Sequence, residues 1–321
     1  MRQIVPIVAT ATGTAILALA PAIAHADGPP AVKTGLAGSL TPQSASVVGT
    51  VNANGLRTRY FFDYGTSKKY GARTARQNAG SGATPRAATA GVSGLKSNTT
   101  YHYRLVATNA KGTVRGANRT FKTPKQPLGF SVALNPNPFV YGAVTMVVGT
   151  LGGTGSANRA VQLQQQTWPY TGGWVPNGNA LVTDKAGNFG FPLLALNDNS
   201  RFRVVTTGDK PTVSAVLTAD VRLDVSAKTS TRTVNRGSRL RFSGIVRPAQ
   251  VGTGVGVQRL SSKGTWVTVR GSVTRKDSVN YSRYATRARI TRSGTYRVFV
   301  KSAQGNLTGH YSPSIKIRVR S

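Results

Sequence analysis

The nineteen residues GLKSNTTYHYRLVATNAKG, Gly94 to Gly112, restrict this chain more than any other stretch. Leu95, Thr99 and Tyr101 carry the spacing of a tyrosine-corner turn. Tyr101, Tyr103, Leu105 and Ala107 then fall on one face of a period-two strand. A strand with one apolar and one polar face needs a second sheet to cover it.

The same residues read as a late strand of an immunoglobulin-like sandwich and resemble the fibronectin type III family. That family's usual pattern here is Leu, Pro, Thr, Tyr at two-residue steps, then an alternating strand running to Asn and Gly. Leu95, Thr99, Tyr101, Tyr103, Ala107, Asn109 and Gly112 match, and Ser97 stands where Pro is usual. RYFFDYGTSKKYG, Arg59 to Gly71, resembles a variant of the family common in secreted bacterial proteins, here of actinobacterial type. The resemblance implies a binding or spacer module over residues 27–126.

Beyond that module the chain repeats itself. GAVTMVVG (Gly142 to Gly149) matches GSRLRFSG (Gly237 to Gly244) in length. Val161-Gln162 is paired with Val257-Gln258, Trp174-Val175 with Trp266-Val267, Phe189 with Tyr281, FRV at Phe202 with YRV at Tyr296, and FSVAL at Phe130 with VRLDV at Val221. The 36 Gly and 16 Pro punctuate short β-rich runs, and no long amphipathic helix is legible. The expected fold class is all-β, with three tandem immunoglobulin-like or fibronectin type III-like sandwiches over residues 27–126, 127–220 and 221–321. Both later copies resemble bacterial immunoglobulin-like domains. Lys122 to Pro127 (KTPKQP) reads as the first linker.

Arg2, an apolar run from Ile4 to Ala24 and the closing Ala24-His25-Ala26 form the parts of a secretory signal peptide over residues 1–26. Its retention as an anchor is the alternative, and no later apolar stretch has the length to span a bilayer. Secretion, with envelope association as an option, is therefore expected. The chain has no cysteine, so each domain must stand on its apolar core.

Charge is the second informative feature. The chain holds 42 Lys plus Arg against 8 acidic residues, all Asp. Residues 221–321 carry 21 of the basic groups and 2 of the acidic ones. Arg239, Arg241, Arg287, Arg289, Lys316, Arg318 and Arg320 each flank an inward apolar residue, so they form a candidate anion-binding face. An anionic cell-wall polymer or polysaccharide is the expected partner, and nucleic acid is expected to bind only non-specifically. Solubility alone is the competing account. In TWPYTGGW (Thr167 to Trp174), Trp168 and Tyr170 are candidates for stacking on glycans, whereas Trp174, which has a repeat partner, is expected in the core.

Catalysis finds little support. Glutamate is absent, and Asp220 and Asp224 lie roughly 13 Å apart on an extended strand, wider than either glycosidase geometry. No G-x-S-x-G elbow occurs, and His102 and His310 lack companions at metal-ligand spacing. Asp184 in TDKAGNFGF is a turn residue rather than a calcium ligand. The chain reads as a monomeric, non-enzymatic attachment protein without cofactor or metal. The alternative is an accessory carbohydrate-binding or spacer protein working beside a glycoside hydrolase.

Overall fold

The computed structural model describes residues 27–320 except Ala195, and the expected signal peptide lies outside them. Every regular element among the described residues is a strand. The strands gather into two units, one ending at Lys125 and the other starting at Gln126.

In the first unit, Ala31–Thr34, Ser44–Asn52 and Arg86–Ser93 form one antiparallel sheet. The second sheet runs Ala72–Arg73, Thr58–Gly65, Thr100–Asn109, Gly112–Arg115, with Gln77–Gly80 and Arg119–Lys122 completing its edges. Tyr101, Tyr103, Leu105 and Ala107 all point into the core between the sheets, beside Val47, Phe62 and Phe121. The corner closes as the spacing predicts. The Tyr101 hydroxyl accepts the Lys96 N–H at 2.9 Å, while Thr123 Oγ1 donates to the Lys96 carbonyl at 2.6 Å. This is the fibronectin type III-like sandwich expected from residues 94–112.

The second unit contains the same layout twice. Gly129–Asn135, Thr145–Gly152 and Asn188–Leu193 face a sheet built on Ala160–Thr167 and Ser200–Thr206. Further on, Asp224–Val225, Arg239–Arg247, Ser282–Arg289 and Arg275–Lys276 face a sheet running Thr233–Asn235, Ile315–Arg320, Gly294–Val300, Gly254–Leu260, Trp266–Val273. Each copy is closed by a short parallel pair, Phe139–Val140 with Val221–Arg222 and Thr233–Asn235 with Arg318–Arg320. Detailed contacts recur as well: Ser214 Oγ accepts the Val204 N–H as Ser312 Oγ accepts the Val298 N–H.

Strand register corrects three of the sequence pairings. Gln164 lies opposite Arg203 and Gln258 opposite Arg297, so Leu163-Gln164, not Val161-Gln162, corresponds to Val257-Gln258. Phe189 lies opposite Gly149 and Tyr284 opposite Gly244, so Tyr284 replaces Tyr281 as its counterpart. Val221-Arg222 closes the first copy rather than opening the second. The match to Ser131 is Ser226, since both present their carbonyl to the equivalent glycine, Gly149 or Gly244.

No free linker separates the two copies. On one side of the crossing segment, Phe139 and Tyr141 donate to the Asp220 and Arg222 carbonyls at 3.2 and 2.8 Å. On the other, Thr308 donates to Val221 at 2.9 Å and Leu223 donates to Thr308 at 3.0 Å. Leu223 is fully buried, and one continuous apolar cluster runs through Val221, Leu223, Val225 and Leu307.

Gly49, Gly149 and Gly244 occupy the same place in the three sandwiches, where a neighbouring strand's carbonyl crosses closely. A Cβ on Gly49 would stand 2.6 Å from the Lys33 carbonyl oxygen and 2.8 Å from Leu105 Cδ2. Gly91, on an adjacent strand, has open space where its Cβ would go. Gly49→Ala should therefore lower stability by about 1–3 kcal/mol, the usual cost of overpacking, while Gly91→Ala stays within about 0.5 kcal/mol of the parent. Denaturant titration of both variants checks this, and equal midpoints would refute the close-approach account.

Candidate functional site

The strongest accumulation of charge lies on the sheet built by Arg239–Arg247 and Ser282–Arg289. Leu240, Phe242, Tyr284 and Ala288 take the inward positions and are buried. Period two therefore sends Arg239, Arg241, Arg287 and Arg289 into solvent. The register then sets like against like, with Arg239 opposite Arg289 and Arg241 opposite Arg287. Side chains directly opposed on antiparallel strands approach closely, so these pairs repel. Three ion pairs form among the described residues, Arg104–Asp63, Arg247–Asp224 and Arg283–Asp277, and none includes these four arginines.

The face extends further than sequence reading found. Lys228 aligns with Ser243, and Arg275 with Arg283, on flanking strands. Lys228, Arg241, Arg275 and Arg283 line a cavity of about 460 Å³ over Ser243 and Ala285. Small side chains between ridges of arginine make the depression. The signal was present in the alternation of SRYATRAR, where Arg283 shares the outward parity of Arg287 and Arg289.

Lys316, Arg318 and Arg320 are not on this face. They project from Ile315–Arg320, which belongs to the opposite sheet. Alternation fixed which way each side chain points from its own strand but not which sheet that strand joins. Thus the seven candidate cations divide four and three between the two outer surfaces of the last sandwich.

Trp168 and Tyr170 are brought together, with ring centroids 5.5 Å apart at 82°. Trp168 is 41% exposed. Tyr170, at φ 66°, is half-buried, and the Arg201 guanidinium lies 4.2 Å over its ring. Of the two, Trp168 offers the more open ring to a sugar. Trp174, expected in the core, is instead half-buried on the outer surface, under Arg203 at 4.5 Å. The guanidinium, not the apolar interior, desolvates the indole.

This last arrangement recurs in every sandwich. Arg203 Nε donates to Gln164 Oε1 at 2.8 Å while stacking on Trp174. Arg297 Nε donates to Gln258 Oε1 at 2.9 Å while lying 4.0 Å from Trp266 and 4.1 Å from Tyr311. In the first unit, Arg104 donates to Asp63 at 3.1 Å and stacks on Tyr70 at 4.5 Å. The sequence signal is the recurring aromatic-Arg-aliphatic triplet YRL, FRV, YRV at Tyr103, Phe202 and Tyr296.

Six of the eight aspartates, Asp63, Asp184, Asp198, Asp220, Asp224 and Asp277, are engaged in hydrogen bonds or ion pairs. Asp184 accepts the backbone N–H of Asn188 at 2.8 Å and its side-chain amide at 3.0 Å, which chiefly hold the carboxyl below the ordinary range, and the Ala186 N–H at 2.8 Å, so it is the turn residue expected. Asp224 pairs with Arg247, and Asp220 accepts from Thr308. No group of three His, Cys, Asp or Glu able to hold a metal occurs among the described residues.

No protein-family model matches the chain, and no curated protein matches it. Among solved structures it is similar to the FN1–FN3 domains of chicken CNTN1, at 14% identity over 91% of this chain and 99% of that one, with a TM-score of 0.28. It is also similar to trypsin-activated alpha-2-macroglobulin from Escherichia coli, at 10% identity, covering 92% of this chain and 24% of that one, with a TM-score of 0.25. Both superpositions are loose, and the fold class rests on the strand topology itself.

His310 sits at the margin of the last clamp, beside Tyr311 at 4.5 Å. Burial first, then the positive charges of Arg222 and Arg297, hold its pKa below the ordinary value. The unfolded chain therefore binds this proton more readily than the folded one. Stability should fall as pH drops below about 6.5, the unfolded histidine value, towards the lower folded pKa. His310→Asn should flatten that segment of the curve in denaturation experiments between about pH 7 and pH 5. An unaltered slope would show that His310 does not contribute to it.

Proposed function

We propose that this chain is a secreted, non-catalytic, monomeric modular protein that attaches to anionic polymers of the cell envelope or extracellular space. The observation that carries the reading is the double row of opposed arginines, Arg239 with Arg289 and Arg241 with Arg287. Repulsion across each row is relieved when an oxyanion sits between the guanidinium groups, so the surface gains from a polyanion what it lacks in internal acids. Lys228 and Arg275 enlarge the surface, beside Arg283, which Asp277 holds in an ion pair, and its rows suit successive charges of a linear polymer such as a teichoic-type phosphate chain. Nucleic acid meets the same attraction without selectivity.

A second reading, an accessory carbohydrate-binding role beside a polysaccharide-degrading enzyme, is favoured by one observation: Trp168 stands exposed beside Tyr170. Stacking there would not depend on ionic strength.

Retention on an immobilised polyphosphate should weaken by roughly tenfold or more between about 50 and about 200 mM salt, as counterion release requires. The double variant Arg241→Glu, Arg287→Glu should lose most of this binding and show a shallower salt dependence. Retention that ignores salt, or survives the double reversal, overturns the electrostatic mechanism. Loss on Trp168→Ala instead would point to the second reading.

A further inference from the structure

The arginine clamps differ in one respect that bears on ligands. In the first unit the Arg104 guanidinium is neutralised by Asp63, through both Nε and Nη2. In the last sandwich the equivalent acceptor is the neutral Gln258, which engages Nε alone. Arg297 thus keeps its full positive charge, and its terminal nitrogens make no hydrogen bond among the described residues. Trp266 and Tyr311 reach the guanidinium from strands on either side of its own, at nearly equal distances, 4.0 and 4.1 Å. An incoming anion is therefore confined to the guanidinium plane, at the edge Gln258 leaves open. A flat carboxylate fits that slot as a fork on a fork; a phosphate makes the same fork but carries further oxygens above and below the plane, on the sides the rings occupy.

The surroundings extend the site. Tyr311 is 44% exposed and offers ring surface for the C–H face of a sugar. On the neighbouring strand, Lys316 aligns with Thr295, which has the outward parity of Arg297. By strand geometry its Cα lies about 8 Å from that of Arg297, and Arg318 follows about 7 Å further on. We propose that Arg297, held between Trp266 and Tyr311, binds the carboxylate of an acidic sugar, and that Lys316 and Arg318 receive further carboxylates of the same polyuronate chain. This site is on the sheet opposite the Arg241–Arg287 surface and does not rest on the reading given for that surface.

The test uses the full chain and the indole N–H resonance of Trp266, one of three tryptophans in the sequence, assigned by Trp266→Phe. The probes are an oligogalacturonate, its methyl ester and an inorganic polyphosphate of matched charge. The oligogalacturonate should shift the Trp266 signal saturably, while the methyl ester and the polyphosphate should shift it with at least roughly tenfold weaker affinity, the loss expected on removing a bidentate ion pair. Gln258→Glu gives Arg297 an internal carboxylate, as Asp63 does for Arg104, and should abolish the Trp266 response to the oligogalacturonate while the fold is kept. Arg297→Lys retains the charge without the planar fork and should weaken binding at least roughly tenfold. In the Arg241→Glu, Arg287→Glu protein, whatever is lost at the arginine rows, the oligogalacturonate should still shift the Trp266 signal with the parent's titration midpoint, which separates failure of this site from failure of those rows. An unmoved Trp266 signal, an equal Trp266 response to the ester or the polyphosphate, or an unchanged Trp266 titration in Gln258→Glu overturns the proposal.

Discussion

Each sheet in this protein has one face committed to a core, and that commitment governs everything the other face displays. With no cysteine and no described helix, the sandwiches are held by inward residues such as Tyr103, Phe202, Phe242 and Tyr296, all essentially removed from water. Period two then leaves no choice about the remainder: the cations interleaved with those residues must point outward. The chain has too few aspartates to neutralise them, 8 against 42 basic residues. Its outer surfaces therefore manage charge by other means. Arginines lie over aromatic rings, bond to neutral amides, or stand opposed with no acidic partner among the described residues.

The fold was legible because alternation and corner chemistry are local. Tyr101 finds the Lys96 N–H only five residues upstream, and the strand it opens carries its own inside and outside. The repeat was legible for a similar reason, through short stretches such as FRV and YRV. Its register was not. In VQLQ, Val161-Gln162 and Leu163-Gln164 are indistinguishable to a pattern of period two, because a shift of two residues preserves which side faces in. Only the neighbouring strand, by placing Arg203 opposite Gln164, decides between them. The junction between the two copies was hidden too. Val221 to Val225 reads as one alternating strand, yet its first part completes the parallel pair with Phe139 and its last part begins the next sheet.

The site shows the same division between local and long-range information. Outward orientation of Arg239, Arg241, Arg287 and Arg289 followed from sequence, and strand pairing added what sequence cannot carry, their mutual opposition. Lys316, Arg318 and Arg320 had the same alternation but join another sheet, since side-chain parity is silent on strand order. The clamps were missed because their members are distant in sequence: Trp266 and Arg297 meet only across the sheet. Counted as composition, these arginines are surplus charge; placed in the fold, they are oriented groups.

The three clamps make a comparison within one molecule. Asp63 closes the first, leaving an ion pair with side-chain exposures of 28% and 15% and no net charge to present. Replacing that carboxylate by Gln164 or Gln258 preserves the hydrogen bond to Nε and the aromatic stack, but removes the counter-charge. Partial burial then lowers the pKa of Arg297, although arginine remains protonated throughout the physiological range. Attraction to two ring faces, each contributing on the order of 0.5–2 kcal/mol, offsets that desolvation without cancelling the charge. A clamp needed only to fasten two strands has no use for the substitution, because the carboxylate fastens them more strongly. Keeping the guanidinium fixed in orientation, with no counter-charge among the described residues, is what the proposed uronate site requires.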